Sequence, residues 1–143
     1  TFIKDTPSKQ KKKTITKKDI ISFAEKWDYQ PFHIDEKLAK QSHYGGLIAS
    51  GWQTIAIAHS LILDTQKTSR SSMGSPGLDK VNWFIPVRPN DTIHCTVTVK
   101  SSRKSNSKPF GVTKILVEVF NQKKELVADM TAVWFLKLAD SRG

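Results

Sequence analysis

The chain has a single cysteine, Cys95, among 143 residues, so it can form no internal disulfide and no cysteine-built metal centre. It also lacks any run approaching the roughly 18 apolar residues that a membrane-spanning helix needs. Its first residues lack the apolar core of a secretory signal. These absences lead to the expectation of a cytoplasmic protein with no membrane partner and a buried, inert thiol at Cys95. Acids are scarce as well: 13 Asp and Glu stand against 23 Lys and Arg, a formal net charge of +10. The histidines at 33, 43, 59 and 94 show no metal-ligand spacing with one another, with Cys95 or with an acid, so no metal is expected.

What is present suffices for one folded domain spanning residues 1–143. A chain of this length has room for one core, and 38% hydrophobic residues with four Trp offset the entropy of ordering it. Residues 1–13 form a basic N-terminal segment. Residues 1 to 20 hold seven Lys against Asp5 and Asp19, a surplus of +5. Such a run reads as a solvated tail or edge strand, as an attraction to nucleic acid or membrane surfaces, or as an aid to meeting polyphosphorylated small molecules. Charge alone does not choose among these.

Thr16 to Trp27 places Ile20, Ile21, Phe23, Ala24 and Trp27 on one helical face, with Thr16 as N-cap and Asp19 three residues on. Pro31 removes a donor and pushes Gln30 toward an extended conformation, so the helix should end near Asp28. Asp28 and His33 are then expected on an irregular, proline-pinned loop. A short helix over Glu36 to Gln41 precedes Gly45-Gly46. Leu47 to Leu63 is apolar nearly all round, which predicts a helix buried on most sides. Ser50 followed by Gln53 matches a capping box, putting Gly51 at the first helical position. A mobile loop is expected over Ser69 to Gly77. Strand-like alternation then follows at Val81 to Ile85, Ile93 to Val99, Ile115 to Val119 and Leu126 to Leu138, with turns at Pro86 to Asp91 and Asn121 to Lys124. One buried helix against an antiparallel sheet of four or more strands is an α+β arrangement.

Three segments now carry a resemblance. Asp28-Tyr29-Gln30-Pro31-Phe32-His33-Ile34-Asp35, the helix entry Gly46-Leu47-Ile48-Ala49-Ser50-Gly51 and the turn Arg88-Pro89-Asn90-Asp91 are similar to those of MaoC-like dehydratases and (R)-specific enoyl-CoA hydratases. The similarity covers roughly residues 14 to 138. It implies the hot dog fold, a long central helix wrapped by a curved antiparallel sheet, and a homodimer. It also implies reversible addition of water to a trans-2-enoyl thioester of coenzyme A, with the acyl-CoA as substrate and no other cofactor.

The chemistry accounts for these residue types. Hydrating a double bond conjugated to a thioester requires one group to deprotonate water and another to protonate the α-carbon, work that an imidazole and a carboxyl can divide. The enolate oxygen needs a preorganised donor, which a backbone N–H at a helix N-terminus supplies. The resemblance implies that Asp28 and His33 hold the catalytic water and that the Gly51 N–H binds the thioester oxygen. His33 is favoured as base and Asp28 as proton donor, which requires burial beside Trp27 and the central helix to keep Asp28 protonated near neutral pH. Ser50, Gln30, Tyr44 and Trp52 complete the expected substrate-binding set.

The bland readings differ. Asp28 alone is a helix-end residue, His33 a satisfied loop histidine, Ser50 a cap, and Tyr44 and Trp52 core or pocket wall. Many family members have Asn where Gln30 stands and His where Ser50 stands, and a serine of some members falls at Ala56. These departures bear on the acyl pocket more than on the pair. Two other functions compete. A hot dog thioesterase often uses an acid on its central helix, yet Leu47 to Leu63 contains none. A non-catalytic module binding acyl-CoA or nucleic acid draws support from the charge, but no phosphate loop or basic-aromatic RNA signature appears, so no specific nucleic-acid partner is expected.

Overall fold

The computed structural model describes residues 11–65 and 74–137. Strand β1 (Lys13–Ile15) leads into helices α1 (Lys17–Trp27), α2 (Pro31–Ile34), α3 (Glu36–Gln41) and α4 (Gly51–Thr65). Strands β2 (Gly77–Trp83), β3 (Asp91–Lys104), β4 (Phe110–Phe120) and β5 (Leu126–Lys137) follow. The strands form one antiparallel sheet in the order β1-β3-β4-β5-β2. Register shifts between Leu78 and Lys80, Val99 and Ser101, and Val119 and Phe120 are the irregularities that bend strands and increase twist.

Burial on alternate residues of β4, at Gly111, Thr113, Ile115, Val117 and Val119, is what period two demands of a strand with one face on the core. Against that face lie Ile55, Ala58, Leu61 and Ile62 of α4, in one cluster with Ile93, Val97, Val127 and Met130. Each large aliphatic side chain buried there stabilises the packing by about 1.5–3 kcal/mol. Several such side chains fix α4 on the sheet, and so fix where its first residues stand.

Helix α1 begins as its sequence predicts. The Asp19 N–H donates to Thr16 Oγ1 at 3.1 Å and the Thr16 N–H to the Asp19 carboxylate at 3.0 Å, closing the capping box. Asp28 ends it as C-cap, its N–H donating to the Ala24 carbonyl.

Four expectations are corrected. His33 lies on the helical turn α2 rather than on irregular chain, because Pro31 takes the first helical position, where no N–H is needed, and starts a helix. Helix α4 is buried on one side only in this chain: Trp52, Ala56, His59, Ser60 and Asp64 are exposed. The Ser50–Gln53 pair does not form the expected box, since the Gln53 amide donates instead to the Asp19 carbonyl at 3.0 Å and ties α4 to α1. Strand β2 opens at Gly77 and stops at Trp83, so Ile85 is outside it. Part of the lysine run forms β1, an edge strand. Residues 1–10, residues 69–73 of the expected Ser69 to Gly77 loop, and Leu138 lie outside the described residues. Among the described residues no helix is long and apolar enough to cross a membrane.

Candidate active site

The end of α1 and the turn of α2 bring Asp28 and His33 together. Asp28 Oδ2 lies 3.3 Å from His33 Nε2, with the imidazole almost wholly buried. His33 Nδ1 is 2.8 Å from the Ile48 carbonyl oxygen. A carbonyl only accepts, so Nδ1 carries a proton and Nε2 is the atom turned to Asp28. Ile48 is itself held, its N–H donating to the Phe32 carbonyl at 3.1 Å.

Both oxygens of Asp28 accept further bonds. Gln30 Nε2 donates to Oδ1 at 2.7 Å and Ser50 Oγ donates to Oδ2 at 2.7 Å. Burial pushes the Asp28 carboxyl up, but the bonds from Gln30 and Ser50 and the charge His33 can carry outweigh it, holding the group below its ordinary range. This overturns the expectation of a protonated Asp28. Trp27 is 71% exposed and supplies no apolar wall, while two donors stabilise the ionised form.

Ser50 is fully buried at the mouth of α4. Its Oγ accepts from the Trp52 N–H at 3.2 Å while donating to Asp28. Gly51 opens the helix, so its N–H is one of the first-turn donors without an intrahelical partner. Its carbonyl accepts from the Trp83 indole at 3.0 Å, and the ring lies so close that a Cβ on Gly51 would sit 2.5 Å from its atoms. Trp52 meets Trp83 edge to face at 5.5 Å.

A cavity of about 420 Å³ joins these groups. Of the expected site residues, Asp28, Gln30, His33, Tyr44, Gly51 and Trp52 line it. Ser50 does not: it was expected to touch substrate, but its hydroxyl is spent on Asp28 and the Trp52 N–H behind the wall. The apolar part of the lining comes from Phe32, Ile48, Phe84, Ile85, Val87 and Val127. Trp83 and Arg88 were not picked out as individual site residues. Arg88 donates to the carbonyls of Tyr44 and Gly46, and neither it nor Trp83 has a local pattern that signals its contact, because both partners lie more than thirty residues away. Among the described residues no three His, Cys, Asp or Glu gather as a metal site.

Known proteins resemble this chain in sequence and fold. The chain is 29% identical over 116 residues to YdeM, an uncharacterized protein of Bacillus subtilis, covering 81% of this chain and 82% of that one. Its fold superposes on the MaoC-like dehydratase of Rhodospirillum rubrum with a TM-score of 0.82 and 31% identity, covering 92% of this chain and 90% of that one. The (R)-hydratase of A. caviae involved in PHA biosynthesis shares the fold at a TM-score of 0.68 and 23% identity, over 90% of this chain and 92% of that one. These neighbours make the curled sheet and its helix a hot dog fold. The model of the MaoC-like domain matches residues 1–120, and with it the chain belongs to the MaoC-like dehydratase family.

Proposed function

We propose that the chain adds water reversibly to a trans-2-enoyl thioester of coenzyme A, giving the 3-hydroxyacyl thioester, with Asp28 and His33 as the acid–base pair. The observation that carries this reading is the approach of Asp28 Oδ2 to His33 Nε2 at 3.3 Å in a cavity that Gly51 also lines. A water bridging the two gives one hydrogen to Oδ2 and the other to Nε2, which leaves its lone pair for the β-carbon of the substrate. His33 Nε2 removes the proton as the C–O bond forms, and the ionised Asp28 stabilises the resulting imidazolium. The same proton is then delivered to the α-carbon, so one water supplies both the hydroxyl and the hydrogen. The Gly51 N–H, at the positive end of α4, receives the enolate oxygen. The substrate is anionic, and a net charge of +10 favours its encounter. The apolar lining accepts the acyl chain.

The exposed Trp52 on α4 and Leu78 on the edge strand β2 are surfaces that a second copy covers in a homodimer, which sedimentation tests. For the reaction, the test is loss of enoyl-thioester absorbance with short trans-2-enoyl-CoAs. Asp28→Asn and His33→Ala should each lower kcat by about a hundredfold or more. Unchanged turnover in both variants rejects the reading.

A further inference from the structure

We infer that Ser50 is a positioning residue for the Asp28–His33 pair, its hydroxyl fixing Asp28 Oδ2 against His33 Nε2 and tying the carboxylate to the first turn of α4. The inference rests on the acid–base reading of that pair given above. A serine at a helix start ordinarily serves as a cap, accepting a backbone N–H while its own proton is free to turn. Here the proton has one destination. Ser50 is 0% exposed, its Oγ accepts from the Trp52 N–H at 3.2 Å, and it donates to Asp28 Oδ2 at 2.7 Å, a bond to a charged acceptor.

The bond continues a directional series. The Trp83 indole N–H donates to the Gly51 carbonyl, the Gly51–Trp52 peptide presents its N–H to Ser50 Oγ, and Ser50 donates to Asp28. Donors in series polarise one another, so each strengthens the next. Gln30 also donates to Asp28, but it is exposed and water can replace it. Water has no such access to Ser50, so removing its hydroxyl takes away the bond that ties Oδ2 to α4 and leaves the carboxylate freer to rotate away from His33.

The experiment measures kcat and KM for enoyl-CoA hydration across pH in wild type, Ser50→Ala and Ser50→Gly, with Gln30→Ala as comparison. In the same proteins, carbon-13 NMR follows the Asp28 carboxyl, identified by its loss in Asp28→Asn. Glycine is a nearly adequate cap, so Ser50→Gly keeps the helix start while losing the hydroxyl. Both Ser50 variants should lose about ten- to a hundredfold in kcat, with KM within about twofold. The Asp28 titration should move to higher pH, further than in Gln30→Ala, because the ionised form loses a donor. A fall in kcat with the Asp28 titration unmoved in both Ser50 variants would mean a merely structural role and overturn the inference. A wild type without hydration activity whose Asp28 titration still moves in both variants would reject the function while supporting the tie between Ser50 and Asp28.

Discussion

Arg88 donates from Nη2 to the Tyr44 carbonyl at 2.6 Å and from Nη1 to the Gly46 carbonyl at 3.2 Å. One guanidinium thus ties the connector after β2 to the segment that carries Tyr44 into the cavity wall. The Arg88 N–H in turn donates to Asp91 Oδ2 at 2.9 Å, which anchors the connector at the start of β3.

Arg88→Lys should raise KM for the thioester more than it lowers kcat. An ammonium cannot copy the planar fork that serves two carbonyls at once, so the Tyr44 wall loosens while the Asp28–His33 pair stays in place. Arg88→Ala should also lower stability by about 1–3 kcal/mol, since partly buried carbonyls lose their donors. Steady-state kinetics and urea denaturation check both effects. Equal kinetic parameters in the lysine variant would mean that the clamp does not shape the wall.

Gly51→Ala should destabilise the protein by about 1–3 kcal/mol through overpacking, because the new methyl meets the Trp83 ring at 2.5 Å. Hydration should fall with it as the start of α4 shifts. Removing the ring in a Gly51→Ala/Trp83→Ala double variant should return part of the cost that the alanine adds to Trp83→Ala alone. Thermal melts of the four proteins measure the coupling, and strictly additive losses would show that the two residues do not interfere.

The Asp28 carboxyl titrates below its ordinary value of 3.8 in the folded chain. Its ionised form therefore contributes stability that is fully present above the unfolded value and is lost as pH falls through the folded one. Wild type should exceed Asp28→Asn in urea midpoint at neutral pH, and the gap should narrow as pH drops below about 3.8. A gap that stays constant down to that range would contradict the ionised, doubly bonded carboxylate.

Burial pushes the Cys95 thiol up to about 11, and its Sγ lies 3.6 Å from the Ala58 carbonyl. Iodoacetamide at about pH 8 should therefore label the native protein far more slowly than the urea-unfolded one, where the thiolate fraction is ordinary. Mass spectrometry reads the adduct. Equal rates in the two states would mean that the thiol is open in the fold.

Features that depend on neighbours in sequence were legible before the structure. The Thr16–Asp19 box, the stop of α1 at Asp28, α3, and the alternation in β3, β4 and β5 are all set by residues within a few positions of one another. The expectation that Asp28 and His33 converge came from the resemblance, and the structure brings the two side chains to 3.3 Å. Features set by distant partners were not legible. The Ser50–Gln53 spacing resembles a cap, but the Asp28 carboxylate arrives from 22 residues upstream and takes the hydroxyl proton, while Asp19 takes Gln53. The protonation of Asp28 was misjudged partly for the same reason, because the Ser50 hydroxyl reaches the carboxylate only once the chain has folded, and with the neighbouring Gln30 amide it outweighs burial. Trp83 shows as a strand residue, and nothing local indicates that its ring covers Gly51.

The groups proposed to move protons and receive the oxygen lie between Asp28 and Gly51, with the Trp83 indole holding the Gly51 carbonyl from β2. Much of the apolar lining comes instead from the connector at Phe84 to Val87 and from Val127 on β5. On the proposed function, proton handling and acyl selection therefore fall largely on separate stretches of the chain. On that reading, substitutions at Phe84, Ile85 or Val127 would retune which acyl groups are accepted while the proton-handling stretch descends unaltered, a division that would let one ancestral chemistry diverge across many substrates.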